Sequence, residues 1–370
     1  MIPYLFVFCV SIFFTYLADR YYNNKFVFCL FSIFALTPTI LLAGFRDNTI
    51  GTDIQTYVLS TFYMAGQYSD WGDFFSESNI DLFFATLIYI SNKFFNDING
   101  ALIVISAFTI ICIYVAIVKM RQYLSMSFSM FVYLFSFYNL SLNLMRQSMA
   151  VSICLFLFVM IFHKEYIKAI IASVLAFYCH SSSVFFILPV IIYMFLHYKL
   201  IHGKPVWKWL IIYFFSLPLL FVLFDYVLTF FVDIGLFSEK YLMYSTSNQH
   251  GGTSVNTIFI LIYITFTVII YNMIKSYGKN LNYTYSLLIV YSTLIIGLLS
   301  TISIWAGRLS LYFQIITVIM FPILISNLPS KKKVAYKSVF AVLITFYWWY
   351  TYIINNVSET YPYSSKILGI

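Results

Sequence analysis

Twelve apolar runs, at about residues 2–18, 26–44, 101–118, 127–143, 147–162, 166–180, 184–197, 209–231, 254–274, 283–305, 309–327 and 338–354, dominate the chain. Backbone amides and carbonyls find no water in a hydrocarbon layer, so runs of about 20 residues cross it as helices. The pattern predicts an all-α, polytopic transmembrane bundle of about 12 spans. A mean hydropathy of +0.89 and a charged content of 9% exclude a soluble fold. Loops are short, so residues 1–370 read as one integral membrane domain. A further apolar segment, residues 82–95, is about 14 residues long, which suits a re-entrant or interfacial helix. Residues 2–18 lack a basic leader and a small-residue cleavage site, and read as a retained span. Cys9, Cys29, Cys112, Cys154 and Cys179 lie in or beside apolar runs without paired spacing, as small hydrophobes do.

The formal charge of +8 is scattered in ones and twos across loops, which encodes topology rather than nucleic-acid binding. With residues 82–95 not crossing and the N-terminus outside, fifteen of the 21 Lys and Arg face the cytoplasm and six face outward. The alternative, with that segment crossing and the N-terminus inside, gives fourteen against seven. The first layout also puts Arg46, Arg146, His180 and Arg308 at the outer mouths of helices, on one face, where they can share a site. Lys331, Lys332, Lys333 and Lys337 then form a cytoplasmic anchor for anionic lipid.

Chemistry concentrates between residues 45 and 81, a polar extracytoplasmic loop in this layout. It holds six of the 13 acidic residues: Asp47, Asp53, Asp70, Asp73, Glu77 and Asp81. Its start reads Arg46-Asp47-Asn48-Thr49-Ile50-Gly51-Thr52-Asp53-Ile54-Gln55-Thr56-Tyr57. Two further arginines mark span boundaries, in Arg146-Gln147-Ser148 and in Gly307-Arg308-Leu309-Ser310-Leu311-Tyr312. Converging guanidiniums bind pyrophosphate or carboxylate through paired hydrogen bonds that an ammonium does not reproduce. His180 closes an apolar run ahead of Ser181-Ser182-Ser183, where an imidazole serves as an interfacial hydrogen-bonding group or as a base. Asp53 reads as a base or as the N-cap of a helix running toward Gly66, and Asp81 as the cap of the short apolar segment. Asp225, inside an apolar run, is a secondary candidate. No DxD, HExxH or CxxC is present, so neither a metal nor another cofactor is expected. Trp348-Trp349-Tyr350 suits an interfacial belt.

The order of Arg46, Gly51-Thr52-Asp53 with Tyr57, Arg146-Gln147 with Ala150, Phe177 to His180 with Ser181, and Arg308 with Tyr312-Phe313 resembles the EpsG family of bacterial polysaccharide polymerases. That group is similar to the Wzy polymerases of O-antigen and capsule. The resemblance implies a multi-pass glycosyltransferase of GT-C-like architecture in the bacterial cytoplasmic membrane. It would transfer glycan from undecaprenyl pyrophosphate to a lipid-linked repeat unit, in contact with membrane lipid and with a chain-length regulator protein as a partner. Arg46, Arg146 and Arg308, with Tyr57, Gln147 and Tyr312, would bind substrate, and Asp53 or His180 would act as base. The residues after Asp81 lack the Glu-Pro-Gly opening often found there, so no role carries over to them.

Three other readings use the same residues. A flippase for lipid-linked oligosaccharide would also hold pyrophosphate with arginines, although transporters place polar groups at the bilayer midplane and carry inverted repeats, which this chain does not show. An O-antigen ligase shares the donor chemistry and differs in acceptor. An acyltransferase built on His180 would need its acyl donor to reach an outer imidazole.

Overall fold

The computed structural model describes residues 1–235, 257–278, 280–301 and 307–370, and the elements described are helical throughout. The chain packs as two compact units, Met1–Val184 with Phe321–Ile370, and Phe185–Met320.

In the first unit, α1 (Ile2–Arg20) and α2 (Lys25–Gly44) form a hairpin. Asn24 sets the start of α2 by accepting from the Val27 amide at 3.2 Å. The polar stretch is largely helical, as the reading of a helix toward Gly66 allowed: a π turn (Ile54–Val58), α3 (Leu59–Gln67) and α4 (Trp71–Ser78), followed by α5 (Leu82–Phe95). These short helices close on Ala65, Phe74 and Ala85. Lys93 ties α5 to the end of α3, donating to the carbonyls of Ala65 at 3.1 Å and Tyr68 at 2.7 Å. Then come α6 (Ile98–Lys119), α7 (Met126–Tyr133), a π turn (Leu134–Tyr138), α8 (Asn139–Asn143), α9 (Met145–Phe162) and α10 (Tyr166–Cys179).

The second unit comprises α11 (Ile187–Ile201), α12 (Trp207–Val222), α13 (Phe224–Asp233), α14 (Thr257–Tyr277), α15 (Leu281–Leu298) and α16 (Leu311–Gln314). Tyrosine hydroxyls on α15 find carbonyls on its neighbours: Tyr285 donates to Pro189 at 3.1 Å and Tyr291 to Phe214 at 2.8 Å. After α17 (Thr317–Ser326), α18 (Ser330–Trp348) returns to the first unit and continues as a π turn, Trp349–Ile354. There Trp348 is fully enclosed among Phe8 and Phe135, and its indole N–H donates to Asn139 Oδ1 at 2.8 Å.

Among the described residues, eight helical segments are long and apolar enough to cross a membrane. The runs at 166–180 and 209–231 give shorter apolar helices, Tyr166–Cys179 and Lys208–Leu219, and the run at 127–143 is broken by its π turn. The opening turns of α18 carry Lys331, Lys332, Lys333 and Lys337.

Side-chain contacts sort the helix termini of the first unit into two ends. At one, Arg121 lies over the Tyr22 ring at 3.3 Å, Lys119 meets Glu165 at 2.5 Å, and Lys337 lies over the Phe128 ring at 5.4 Å. This end gathers the α1–α2, α6–α7 and α9–α10 turns and the start of α18. At the other, Asn99 donates to the Gly44 carbonyl at 2.8 Å, and Arg46 reaches the Leu142 carbonyl at 3.0 Å. Asp81, just before α5, and Asn99, just after it, both belong to this second end, so α5 enters and leaves on one side. Its 14 residues would span only about 21 Å of a hydrocarbon core about 30 Å thick.

The chain's last residues lie over the second end. Tyr4 donates to the Thr360 carbonyl at 2.6 Å, Tyr363 to Leu42 at 2.8 Å, and the Gly51 amide to Glu359 at 3.1 Å. Asp47 accepts from the Lys366 amide at 3.0 Å.

Candidate active site at the helix termini of the first unit

Arg46 follows the last turn of α2 and is 2% exposed. Its guanidinium donates to the carbonyls of Ala43, of Ile50 at 3.3 Å and of Leu142 at 3.0 Å, and lies 3.3 Å from Met145 Sδ. The orphan carbonyls of two helix ends are thereby satisfied by one cation. Burial pulls the guanidinium down to about 10, against the opposing pull of Tyr138, Tyr4 and Tyr363, so it stays charged at neutral pH. Arg46 is thus a strut between helices in this structure.

The turn that follows is shaped by Gly51. Its φ is +85°, and a Cβ there would stand 2.7 Å from the Leu142 carbonyl oxygen, so only glycine fits without displacement. Asn143 Oδ1 receives the Thr52 hydroxyl at 2.8 Å and the Asp53 amide at 3.2 Å. Asp53 does not cap the helix that begins beside it: its Oδ2 accepts the Met145 amide at 3.2 Å, at the start of α9, 92 residues away. A carboxylate at that position satisfies an orphan donor and complements the positive end of the helix dipole.

Arg146, one residue further along α9, is the better-placed guanidinium. It pairs with Asp81 Oδ2 at 3.0 Å through Nη1, and its Cζ sits 4.1 Å from the centre of the Tyr57 ring. Both partners of the pair keep about a fifth of their side-chain surface exposed, 21% for Arg146 and 22% for Asp81. The guanidinium is therefore oriented on two sides and still reachable. Asp81, expected as a helix cap, makes no capping bond with its side chain and is the counter-ion of Arg146 instead. Gln147, beside Arg146, is 5% exposed.

His180 ends α10, which pairs with α9 through the tight turn at residues 163–165, so it lies at the same end of the unit as Arg146. The Ser182 amide approaches His180 Nδ1 at 3.3 Å, which makes Nδ1 an acceptor and places the ring proton on Nε2. Arg308 and Tyr312 belong to the second unit: Arg308 is half-buried in a 3-10 turn ahead of α16, and Tyr312 is fully buried. Residues 232–235 end α13 and its flank; the rest of the 232–253 stretch, His250 included, lies outside the described residues, as do Trp305 and the side chain of Asp225.

The structure thus brings Arg46, Asp53, Tyr57, Arg146 and Gln147 to the helix termini of one end, with His180 on the same side. It adds Asn143, which the sequence left without a role, and gives Asp81, expected as a cap, the role of counter-ion to Arg146. An acid ahead of an apolar helix, with no base nearby in sequence, was the signal for Asp81. Among the described residues no group of His, Cys, Asp and Glu is arranged to hold a metal.

A many-helix membrane protein with a charged, partly open cluster at its helix ends is the class defined by this fold. The sequence pattern of the EpsG family matches residues 26–365, and the chain belongs to that family, whose members are Wzy-like polysaccharide polymerases. No curated protein and no solved structure matches it.

Proposed function

We propose that the chain polymerises a bacterial surface polysaccharide by moving glycan from undecaprenyl pyrophosphate to a hydroxyl of a lipid-linked repeat unit. The observation that carries this reading, beside family membership, is Arg146, fixed by Asp81 and Tyr57 yet open to a ligand. A glycosyl pyrophosphate already has a good leaving group, so catalysis consists of holding its charge and receiving one proton. In this reading Arg146 grips the pyrophosphate. The acceptor oxygen bonds to the anomeric carbon, the bond from that carbon to the pyrophosphate oxygen breaks, and the acceptor proton passes to Asp53. The Met145 amide, donating to Asp53 Oδ2 at 3.2 Å, fixes the position of that carboxylate at the start of α9. His180 donates its Nε2 proton in a hydrogen bond to substrate oxygen, Tyr57 and Gln147 line the same site, and Arg46 keeps the helix ends in place. Arg308 and Tyr312 are assigned to substrate binding on the family resemblance alone.

The same reading places the chain in the cytoplasmic membrane with about 12 crossings of GT-C-like architecture, the site outside and the basic end in the cytoplasm. It takes a chain-length regulator as a partner and invokes no cofactor. Arg146→Lys keeps the charge and loses the planar fork, so polymer ladders should fall on the order of a hundredfold at matched membrane protein levels. A wild-type ladder from Arg146→Lys would reduce the residue to an anchor and remove the proposed site.

A further inference from the structure

Trp71 opens α4 and is held by two contacts. Its indole stacks on Phe75, one helical turn later, with centroids 5.5 Å apart and planes within 5°. Its Nε1 donates to Thr86 Oγ1 at 3.2 Å, and that hydroxyl is itself turned by a 2.8 Å bond to the Leu82 carbonyl. Yet 38% of Trp71 remains exposed. A large ring with its orientation set and its surface open is preorganised for a flat partner, because little side-chain entropy is left to lose.

Its position relates it to Arg146. Thr86 lies five residues after Asp81, about 7.5 Å along the axis of α5, so the indole and the Asp81–Arg146 pair both flank the first turns of that helix. The surroundings choose the ligand. α4 carries Asp73 and Glu77, with Asp70 at its cap and no basic residue, and all three acids are exposed. Such a surface repels phosphate and anionic headgroups, while carboxylates accept hydroxyl protons readily. The C–H edges of a sugar ring carry partial positive charge and meet the negative face of an aromatic ring. Phe94 and Phe95, at the far end of α5, show the contrasting case: they are 81% and 56% exposed, on an apolar helix end suited to lipid.

We propose that Trp71, backed by Phe75, is a carbohydrate subsite that seats a sugar ring of the glycan whose pyrophosphate Arg146 holds. The proposal rests on the polymerase reading and names the recognition element for the sugar part of the substrate.

The test titrates the purified full-length protein in lipid nanodiscs with two probes. One is oligosaccharide released by mild acid from the producing cells' own surface polysaccharide, free of lipid and pyrophosphate. The other is undecaprenyl pyrophosphate without sugar. Trp71→Ala should bind the oligosaccharide about five- to tenfold more weakly than wild type and bind the lipid pyrophosphate equally well. Trp71→Phe, which keeps a ring in place, should recover most of the oligosaccharide affinity. Equal affinity of wild type and Trp71→Ala overturns the proposal, and so does a wild type that takes the lipid pyrophosphate but no oligosaccharide. If Trp71→Ala does not insert, the fluorescence difference between wild type and Trp71→Phe decides: a response to oligosaccharide supports the subsite, and no response overturns it. Quenching of that fluorescence by brominated acyl chains also overturns it, assigning the indole to lipid. Unchanged polymer from cells that lack this chain would sink the polymerase reading while leaving this sugar-binding result intact.

Discussion

The two ends of the first unit carry cations in opposite settings. At the basic end, Lys119 and Lys168 share Glu165 at 2.5 and 2.7 Å, and their side chains stay 30% and 64% exposed. Water competes for every one of those contacts, so the pairs contribute little and the charges serve mainly as positional signals. At the other end, Arg46 is enclosed by backbone carbonyls and Arg146 is clamped between a carboxylate and a ring. Charge there is committed to geometry. The lesson is that arginine count and position along the chain are poor guides to setting, and that surroundings separate an enclosed guanidinium, a half-open one and exposed lysines.

The widest separation should come from matched swaps of the two cations. Against the roughly hundredfold loss of polymer expected of Arg146→Lys, Lys119→Arg should leave ladders at the wild-type level, because a surface pair tolerates either head group. A comparable loss from Lys119→Arg would erase the contrast between the ends. Next comes Arg46→Ala, which strands three carbonyl acceptors in a buried place and should cost about 3 kcal/mol of stability. Thermal unfolding in detergent, read beside insertion, measures it, and an unchanged midpoint would return Arg46 to the list of ligand-binding groups.

Asp53 sharpens the comparison further, because its two duties come apart. Asn caps a helix about as well as Asp, so Asp53→Asn should keep stability and lose turnover, whereas Asp53→Ala should also lose about 1 kcal/mol. Full turnover by Asp53→Asn would leave it a cap and nothing more. The smallest effect belongs to Glu165, held at about 2, below its ordinary 4.5, chiefly by hydrogen bonds from Lys119 and Lys168. Its folded value is depressed, so its contribution is present above about pH 4.5 and is lost as pH falls through about 2. Glu165→Gln should flatten that acid limb in unfolding midpoints and change nothing near neutrality.

Much of the fold was legible because hydrophobic length is a local property. Among the described residues the twelve apolar runs fall mainly on helix, and the short segment at 82–95 starts and ends among the helix termini of one end of the first unit. What stayed hidden depends on distance along the chain. Asp81 meets Arg146 across 65 residues and Asp53 caps a helix 92 residues away, and no periodicity marks either partner. A helix running toward Gly66 was legible from Asp53, whereas the helix at Trp71–Ser78 was masked by polar composition and is gathered with its neighbours on Ala65, Phe74 and Ala85. Arg46 stood out in the sequence as the head of the acidic stretch beside Asp47, yet that place fits a strut as well as a ligand, and only its carbonyl partners tell them apart.

The binding of the chain's last residues over the Arg46 turn has a consequence for biogenesis. The turn is held by the amide of Lys366 and the hydroxyl of Tyr363, about 320 residues downstream. At a translation rate of roughly 5–20 residues per second, α1 and α2 wait in the membrane for on the order of a quarter to a full minute before those partners exist. Throughout that interval the Asp47–Asp53 segment lacks its C-terminal partners, while its contacts to Leu142, Asn143 and Met145 are available earlier. Assembly of this end is therefore a late event, completed only after every span has been made, and the nascent protein carries an unfinished charged turn until then.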